Sequence, residues 1–295
     1  MKSFNRPLSQ FIAISLAAML GIVPLVGCNK GEQAPADATA TEQTTEPAAQ
    51  ADPTEQPIWV ISKQTSTYTS GEDSSTVTIT YERDEQGNYT TMTTDAGEAG
   101  ITVETRELDA DGFATAVHTK LGEEVNDVTY QLTKDDQGRL TKREGSDGSI
   151  MEYTYDAEGH VTNITFSLPA IHTDENGNKD EFKYQLQQVY DTGGLLLKSS
   201  VQSVGNNQVT EKTYERDDQG RPVTATTRMW TVDENGEPQG DYVDETSVSV
   251  EYDDNGNVAR VTQKGEAFTN VIEYEYVQVA QPSLGAQLEA YFSIL

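Results

Sequence analysis

The 295-residue sequence has one cysteine, three histidines, and only 20 Lys and Arg against 49 Asp and Glu. A single thiol allows no intramolecular disulfide. His118, His160 and His172 fall at no His-Glu-x-x-His or other ligand spacing, so a local zinc site has no ligand set. Gly-x-Ser-x-Gly and phosphate-cradling glycine loops are also missing. The deficit of cations leaves a formal charge of −29, a surface that repels nucleic acid and anionic polymers and suits cations, basic partners or neutral ligands. No nucleic-acid partner is expected. Past residue 26 there is no long apolar run. The earlier one, Phe11–Val26, contains Pro24 and falls short of the roughly 20 residues needed to span a bilayer as a helix.

What is present at the N-terminus is a basic start (Lys2, Arg6), that apolar stretch, and Leu25-Val26-Gly27-Cys28. This three-part layout is that of a secretory signal. It resembles a bacterial lipoprotein signal with its lipobox, which implies residues 1–27 are removed and Cys28 becomes the lipidated first residue. The resemblance implies a diacylglyceryl thioether on Cys28, with an amide-linked third chain such as palmitate. Two or more acyl chains suffice for stable anchoring. Loss of Lys2 and Arg6, with no acid, takes −29 to −31; such charge favours solubility and a monomer.

Residues 28–57 form a tether. From Asn29 to Pro57 there are four prolines and no aromatic, Val, Ile or Leu, too little apolar surface to fold. As a flexible coil it reaches roughly 30 Å. The remainder, 58–295, shows no second composition break and is read as one all-β domain, within the size such domains reach.

That domain is repetitive. Asp-x-x-Gly recurs at Asp84–Gly87, Asp109–Gly112, Asp135–Gly138, Asp156–Gly159, Asp191–Gly194, Asp217–Gly220 and Asp253–Gly256, at intervals of 21 to 36 residues. Asp first and Gly fourth suit a type I turn closed by a left-handed glycine, the three-residue hairpin loop with a G1 bulge. The residue before Asp then faces the second residue after Gly, which pairs Tyr155 with Val161, Tyr190 with Leu196 and Tyr252 with Val258. Counting back from each Asp, apolar residues keep odd offsets, as in Tyr153 and Tyr155 or Val248, Val250 and Tyr252, the period of a strand with one buried face. After the Gly they fall at the second and fifth places (Val161 and Ile164, Val258 and Val261), so a β-bulge or a change of face is expected there.

Between tips lie the second loops: Asp95–Gly100, Leu121–Asn126, Gly145–Gly148, Leu168–Asp180, Gly205–Asn207, Asp233–Gly240 and Gly265–Glu266. Alternation of the two loop classes implies a wide up-and-down antiparallel meander of about 14–15 strands with the Asp-x-x-Gly tips on one rim. A sheet this wide must curl strongly, close or split into layers. Residues 283–292 follow Pro282 and place Leu284, Leu288, Tyr291 and Phe292 on one face, predicting a short C-terminal helix over the end of the sheet that covers its edge.

Met151-Glu-Tyr-Thr-Tyr-Asp156-Ala-Glu-Gly159-His-Val161, Val250-Glu-Tyr-Asp-Asp-Asn-Gly256-Asn-Val258 and Tyr214-Glu-Arg-Asp217-Asp-Gln-Gly220-Arg-Pro222 resemble YD repeats, the β-hairpin units of Rhs-type bacterial proteins, over roughly residues 77–265. In that family longer arrays form shells around toxin domains and are associated with carbohydrate. The resemblance implies hairpin architecture for this chain.

For chemistry, Asp109-Ala-Asp111-Gly112 and Asp174-Glu-Asn176-Gly177 do not complete an EF-hand loop, and turn formation accounts for them. The tyrosines read as core. Trp59 and Trp230 are freer to meet a glycan. Carboxylates along neighbouring tips, roughly 10 Å apart, repel by about 0.4 kcal/mol per pair in water, so the rim should gain from added salt. The reading is a non-enzymatic, lipid-anchored extracytoplasmic binding or spacer module of the envelope with no cofactor. Its partners are the membrane, through Cys28, and a glycan or protein. The alternatives are an envelope hydrolase using paired carboxylates and a carrier of an apolar ligand.

Overall fold

The computed structural model describes residues 57–292 apart from 158, 174–178, 191–195, 205–207 and 234–237. Cys28, the tether and the Asp191–Gly194 tip lie outside them. In each described tip the Asp N–H donates to the carbonyl four residues on and the Gly N–H to the Asp carbonyl, as in Asp156→His160 (3.0 Å) and Gly159→Asp156 (3.2 Å). Gly159 has φ +95°, a conformation open to glycine and costly for a branched side chain. The pairings Tyr155↔Val161, Tyr190↔Leu196 and Tyr252↔Val258 are all present.

The register shifts by one residue beside every tip. These bulges explain the second-and-fifth spacing: one residue is skipped, and the strand returns its apolar side to the same face. At four of them the skipped residue is a threonine whose hydroxyl donates to the opposite strand, Thr90 to Glu82, Thr115 to Glu107, Thr141 to Thr133 and Thr162 to Thr154, at 3.1–3.3 Å.

The strands are β1 (Ile58–Ser70), β2 (Asp73–Arg83), β3 (Tyr89–Asp95), β4 (Ile101–Leu108), β5 (Ala114–Leu121), β6 (Glu124–Lys134), β7 (Leu140–Gly145) and β8 (Ile150–Tyr155). Then come β9 (Val161–Thr173), β10 (Lys179–Tyr190), β11 (Leu196–Val204), β12 (Gln208–Arg216), β13 (Pro222–Val232), β14 (Pro238–Tyr252), β15 (Val258–Lys264) and β16 (Thr269–Val279). Each pairs antiparallel with its chain neighbours, and β1 pairs with β16 from Ile58↔Val279 to Thr69↔Thr269, so the meander closes into a barrel. The sixteenth strand is the one after Gly265. Three of the expected loops are shorter than they read from sequence: β6 starts at Glu124, inside Leu121–Asn126, β14 starts at Pro238, inside Asp233–Gly240, and β9 and β10 run through most of Leu168–Asp180.

A helix, α1 (Leu284–Phe292), follows. Because the sheet closes, α1 covers no strand edge. It lies across the rim that carries the Asp-x-x-Gly tips. Ser283 caps it, its hydroxyl accepting from the Ala286 N–H at 2.9 Å and donating to Asn88, as serine does at this position. The Ser283 N–H donates to Gln86 and that of Gly285 to Asp111. A Cβ on Gly285 would lie 2.1 Å from the Gly112 carbonyl oxygen, so only glycine lets α1 dock this closely. Leu284 and Leu288 pack on Phe113, Leu140, Tyr153 and Val161. A second apolar cluster joins Ile61, Ala225, Val248, Val258, Val261, Ile272 and Tyr274.

Tyrosines before the tips stitch hairpins together. Tyr155 Oη donates to the Leu140 carbonyl (2.7 Å) and Tyr252 Oη to that of Pro222 (2.6 Å), each two residues past the preceding tip glycine. Arg139 and Arg221 stack on the same two rings, 4.5 and 4.3 Å from their centroids. Tyr155→Phe should therefore cost about 1 kcal/mol by leaving the Leu140 carbonyl unpaired, read from urea unfolding. Gly159→Val should cost on the order of 1–2 kcal/mol and Ala157→Val less; equal midpoints for these two would contradict the turn.

Candidate functional site

Sixteen strands enclose more width than side chains fill, and the inward positions show what lines the remainder. On β4, Glu104 and Arg106 stand five and three residues before Asp109, the parity that elsewhere carries Tyr or apolar groups. Arg106 Nε donates to Glu104 Oε1 at 2.9 Å, and Tyr89 Oη donates to the same oxygen at 3.1 Å. The Arg106 guanidinium lies 3.5 Å from the Tyr89 ring centroid. Facing inward from the middle of a strand in a closed barrel, Arg106 and Glu104 still keep 18% and 17% of their side-chain surface accessible. That surface faces the barrel interior, where these two side chains are incompletely packed.

Arg143 on β7 holds the fifth place after Gly138, where other hairpins have Met92, Val117, Ile164 and Val261. It stacks 4.6 Å from the Tyr130 centroid and reaches the Met151 sulfur at 4.0 Å. Burial pushes the Glu104 carboxyl up to about 7; Arg143 pulls it back and Glu289 pushes it further. The direct Arg106 contact opposes the rise. Burial likewise lowers Arg106 to about 10.

The segment Tyr81-Glu82-Arg83-Asp84-Glu85-Gln86-Gly87 has a near copy in Tyr214-Glu215-Arg216-Asp217-Asp218-Gln219-Gly220. Arg83 Nη1 donates to the Gly87 carbonyl (2.6 Å) and Arg216 Nη1 to that of Gly220 (2.7 Å). Arg83 Nη2 goes on to Glu289 of α1 at 2.7 Å, with 5% of the arginine side chain exposed. Among the described residues Arg216 Nη2 is buried with no hydrogen-bond partner, as are Tyr214 Oη and Thr227 Oγ1 on the same wall. Thr227 sits opposite Lys212, whose ammonium burial lowers to about 8.

The tip aspartates form no functional cluster. Asp109, Asp135, Asp156 and Asp217 lie below the usual carboxylate range: slight burial pushes them up, but backbone N–H donors and, respectively, Lys134, Arg139, His160 and Arg221 outweigh it. Lys134 on β6 reaches Asp109 (2.7 Å) and Asp111 together, tying two tips. Four described tips thus carry an internal cation partner, whereas Asp84 and Asp253 accept instead from the side-chain amides of Asn88 and Asn257. Among the described residues no three His, Cys, Asp or Glu side chains gather around a metal-sized space. His118 points outward to Asp127 (2.8 Å), whose hydrogen bond raises its pKa. Trp59 lies at the α1 end of β1 and Trp230 toward the opposite end of β13, both half-buried. Sequence reading passed over Glu104, Arg106, Arg143 and Arg216; their signal was charge at inward positions of the repeat.

No protein-family model matches the chain, and no curated protein matches it. Among solved structures, a porin-like protein from Bacteroides uniformis ATCC 8492 is similar at 14% identity and TM-score 0.45, covering 74% of this chain and 98% of that one. Its counterpart from Bacteroides vulgatus ATCC 8482 gives 15% and 0.36 over the same shares. TcdB2-TccC3-TEV gives 17% and 0.32, over 70% of this chain and 10% of that one. These are distant likenesses of β architecture and carry no functional argument.

A carboxyl that is harder to ionise folded than unfolded destabilises the fold once deprotonated. Stability should fall as pH rises from about 4.5 through about 7, and Glu104→Gln should flatten that decline in urea melts taken across this range. An unchanged slope would remove Glu104 as its source.

Proposed function

We propose that the protein is a lipid-anchored binding module of the bacterial envelope, a barrel that stands in water outside the cytoplasmic membrane and receives a small polar molecule in its interior. The observation that carries this reading is the charged, accessible lining at Glu104 and Arg106. Buried ion pairs are seldom the most stable filling for a core, since apolar side chains of equal volume often do as well or better. A lining kept polar around a hollow is better accounted for by recognition. It gives carriage of an apolar ligand no support, and its carboxylates, Glu104 and Glu289, are each engaged by an arginine rather than set as an acid–base pair.

The outer face supports water rather than lipid. β2 turns Thr76, Thr78, Thr80 and Glu82 outward, and ion pairs such as Lys63–Glu275 (2.7 Å) and Arg228–Glu245 (2.6 Å) lie across outer strand pairs. A Lys or Arg on the lipid face of a barrel costs about 2–4 kcal/mol at the bilayer midplane. Attachment is assigned to Cys28, and the tether would enter at Ile58, on the rim that α1 covers, leaving the opposite rim as the outward mouth.

Two measurements test the reading. In phase partition the wild-type chain should enter detergent and Cys28→Ser the aqueous phase; a variant that stays with detergent would mean the barrel itself holds lipid. A neutral nitroxide should broaden the Nε–H NMR signals of Arg106 and Arg143 but spare the Val261 methyls, which are fully buried. No broadening of the arginines would remove the binding compartment.

A further inference from the structure

Resting on the barrel interior as the binding compartment, we infer that its ligand carries an oxyanion, a carboxylate or phosphate, and that Arg143 beside Arg106 receives it. The chain as a whole is strongly acidic, yet inward positions of the described repeats hold Arg83, Arg106, Arg143 and Arg216 against Glu104, with Glu289 reaching in from α1. Two of these arginines are already matched, Arg83 by Glu289 and Arg106 by Glu104. Arg143 has no carboxylate within ion-pair distance among the described residues; its guanidinium is held only by the Tyr130 face and the Met151 sulfur.

Geometry and charge combine at this point. Arg143 and Arg106 are close enough to repel each other, with Glu104 acting on Arg143 and bonded to Arg106 and the Glu289 carboxylate, itself held by Arg83, acting on Arg106. Three guanidiniums, Arg83, Arg106 and Arg143, against two carboxylates, Glu104 and Glu289, leave this wall one negative charge short, and guanidinium binds carboxylate or phosphate through paired, charge-assisted hydrogen bonds. The protein uses this chemistry once internally, where Arg83 Nη2 takes the Glu289 carboxylate at 2.7 Å. The near copy of that segment repeats the shortage on another wall: Arg216 Nη2, Tyr214 Oη and Thr227 Oγ1 are donors without acceptors. A cation would meet the same excess of positive charge, and an apolar ligand would leave the arginines unpaired. The negative exterior does not prevent this recognition, because at physiological salt its field is screened beyond about 8 Å.

The test titrates the full-length lipidated protein in neutral detergent with inorganic phosphate and, separately, with acetate, at ionic strength held constant with chloride, following the arginine Nε–H signals. Saturable shifts at Arg143 and Arg106 are expected, and comparison of the two titrations decides between phosphate and carboxylate. Arg143→Met should weaken binding about tenfold or more, the scale of one lost charged hydrogen bond. Arg228→Met, outside the barrel, should bind as wild type. Glu104→Gln should bind more tightly, because the internal competitor for the two arginines is gone. No saturable shift with either anion, or Arg143→Met binding like wild type, overturns the inference. If Arg143→Met does not fold, Glu104→Gln decides, and unchanged or weaker binding overturns it. Where the neutral nitroxide reaches Arg143 but neither anion binds, the oxyanion assignment fails and the compartment stands; where the nitroxide does not reach it, the compartment fails too.

Discussion

The pairing of β1 with β16 is the contact on which the other features depend. It joins segments some 200 residues apart, Lys63 lying opposite Glu275 and Thr69 opposite Thr269, and turns a meander with two unpaired edges into a barrel with none. A free edge in so long a sheet would be a template for association. Closure also divides every strand's alternating side chains into two environments. Glu104 and Arg106 would stand on an ordinary solvated face if the sheet were open; closed, they line an interior.

Within that constraint the repeat divides its labour. Asp and Gly make the turns, threonine settles four of the bulges beside them, and at Tyr155 and Tyr252 the tyrosine before the tip reaches the neighbouring hairpin through its hydroxyl. These contacts run between adjacent repeats, so the wall is built from near neighbours, while β1–β16 and α1 supply long-range closure. The helix breaks the pattern. It occupies one side of the tip rim through Ser283, Gly285 and the Arg83–Glu289 pair, and the equivalent arginine of the second copy, Arg216, has no such helix beside it.

Charge is segregated by the same geometry. The described tip aspartates hold their own backbone together with a nearby cation (Asp109, Asp135, Asp156, Asp217) or asparagine (Asp84, Asp253), so part of the acidity serves local structure. Among the described residues the inward arginines outnumber the inward carboxylates, and Glu104, Arg106 and Lys212 titrate out of their usual ranges chiefly because burial disfavours their charged forms.

Local order was written plainly in the amino-acid sequence. Six described Asp-x-x-Gly tips, the pairing of Tyr155 with Val161 and Tyr252 with Val258, the displaced register beside the tips and the helix following Pro282 depend on interactions within about a dozen residues, where turn chemistry and side-chain period leave few alternatives. Closure was not legible, because nothing in β1 or β16 distinguishes a partner strand from a solvated edge until both are placed. The charged interior was unreadable for a related reason. Glu104, Arg106 and Arg143 occupy inward positions of the repeat, but whether inward means a packed layer or a hollow depends on how many strands surround it, and only the tertiary structure decides that.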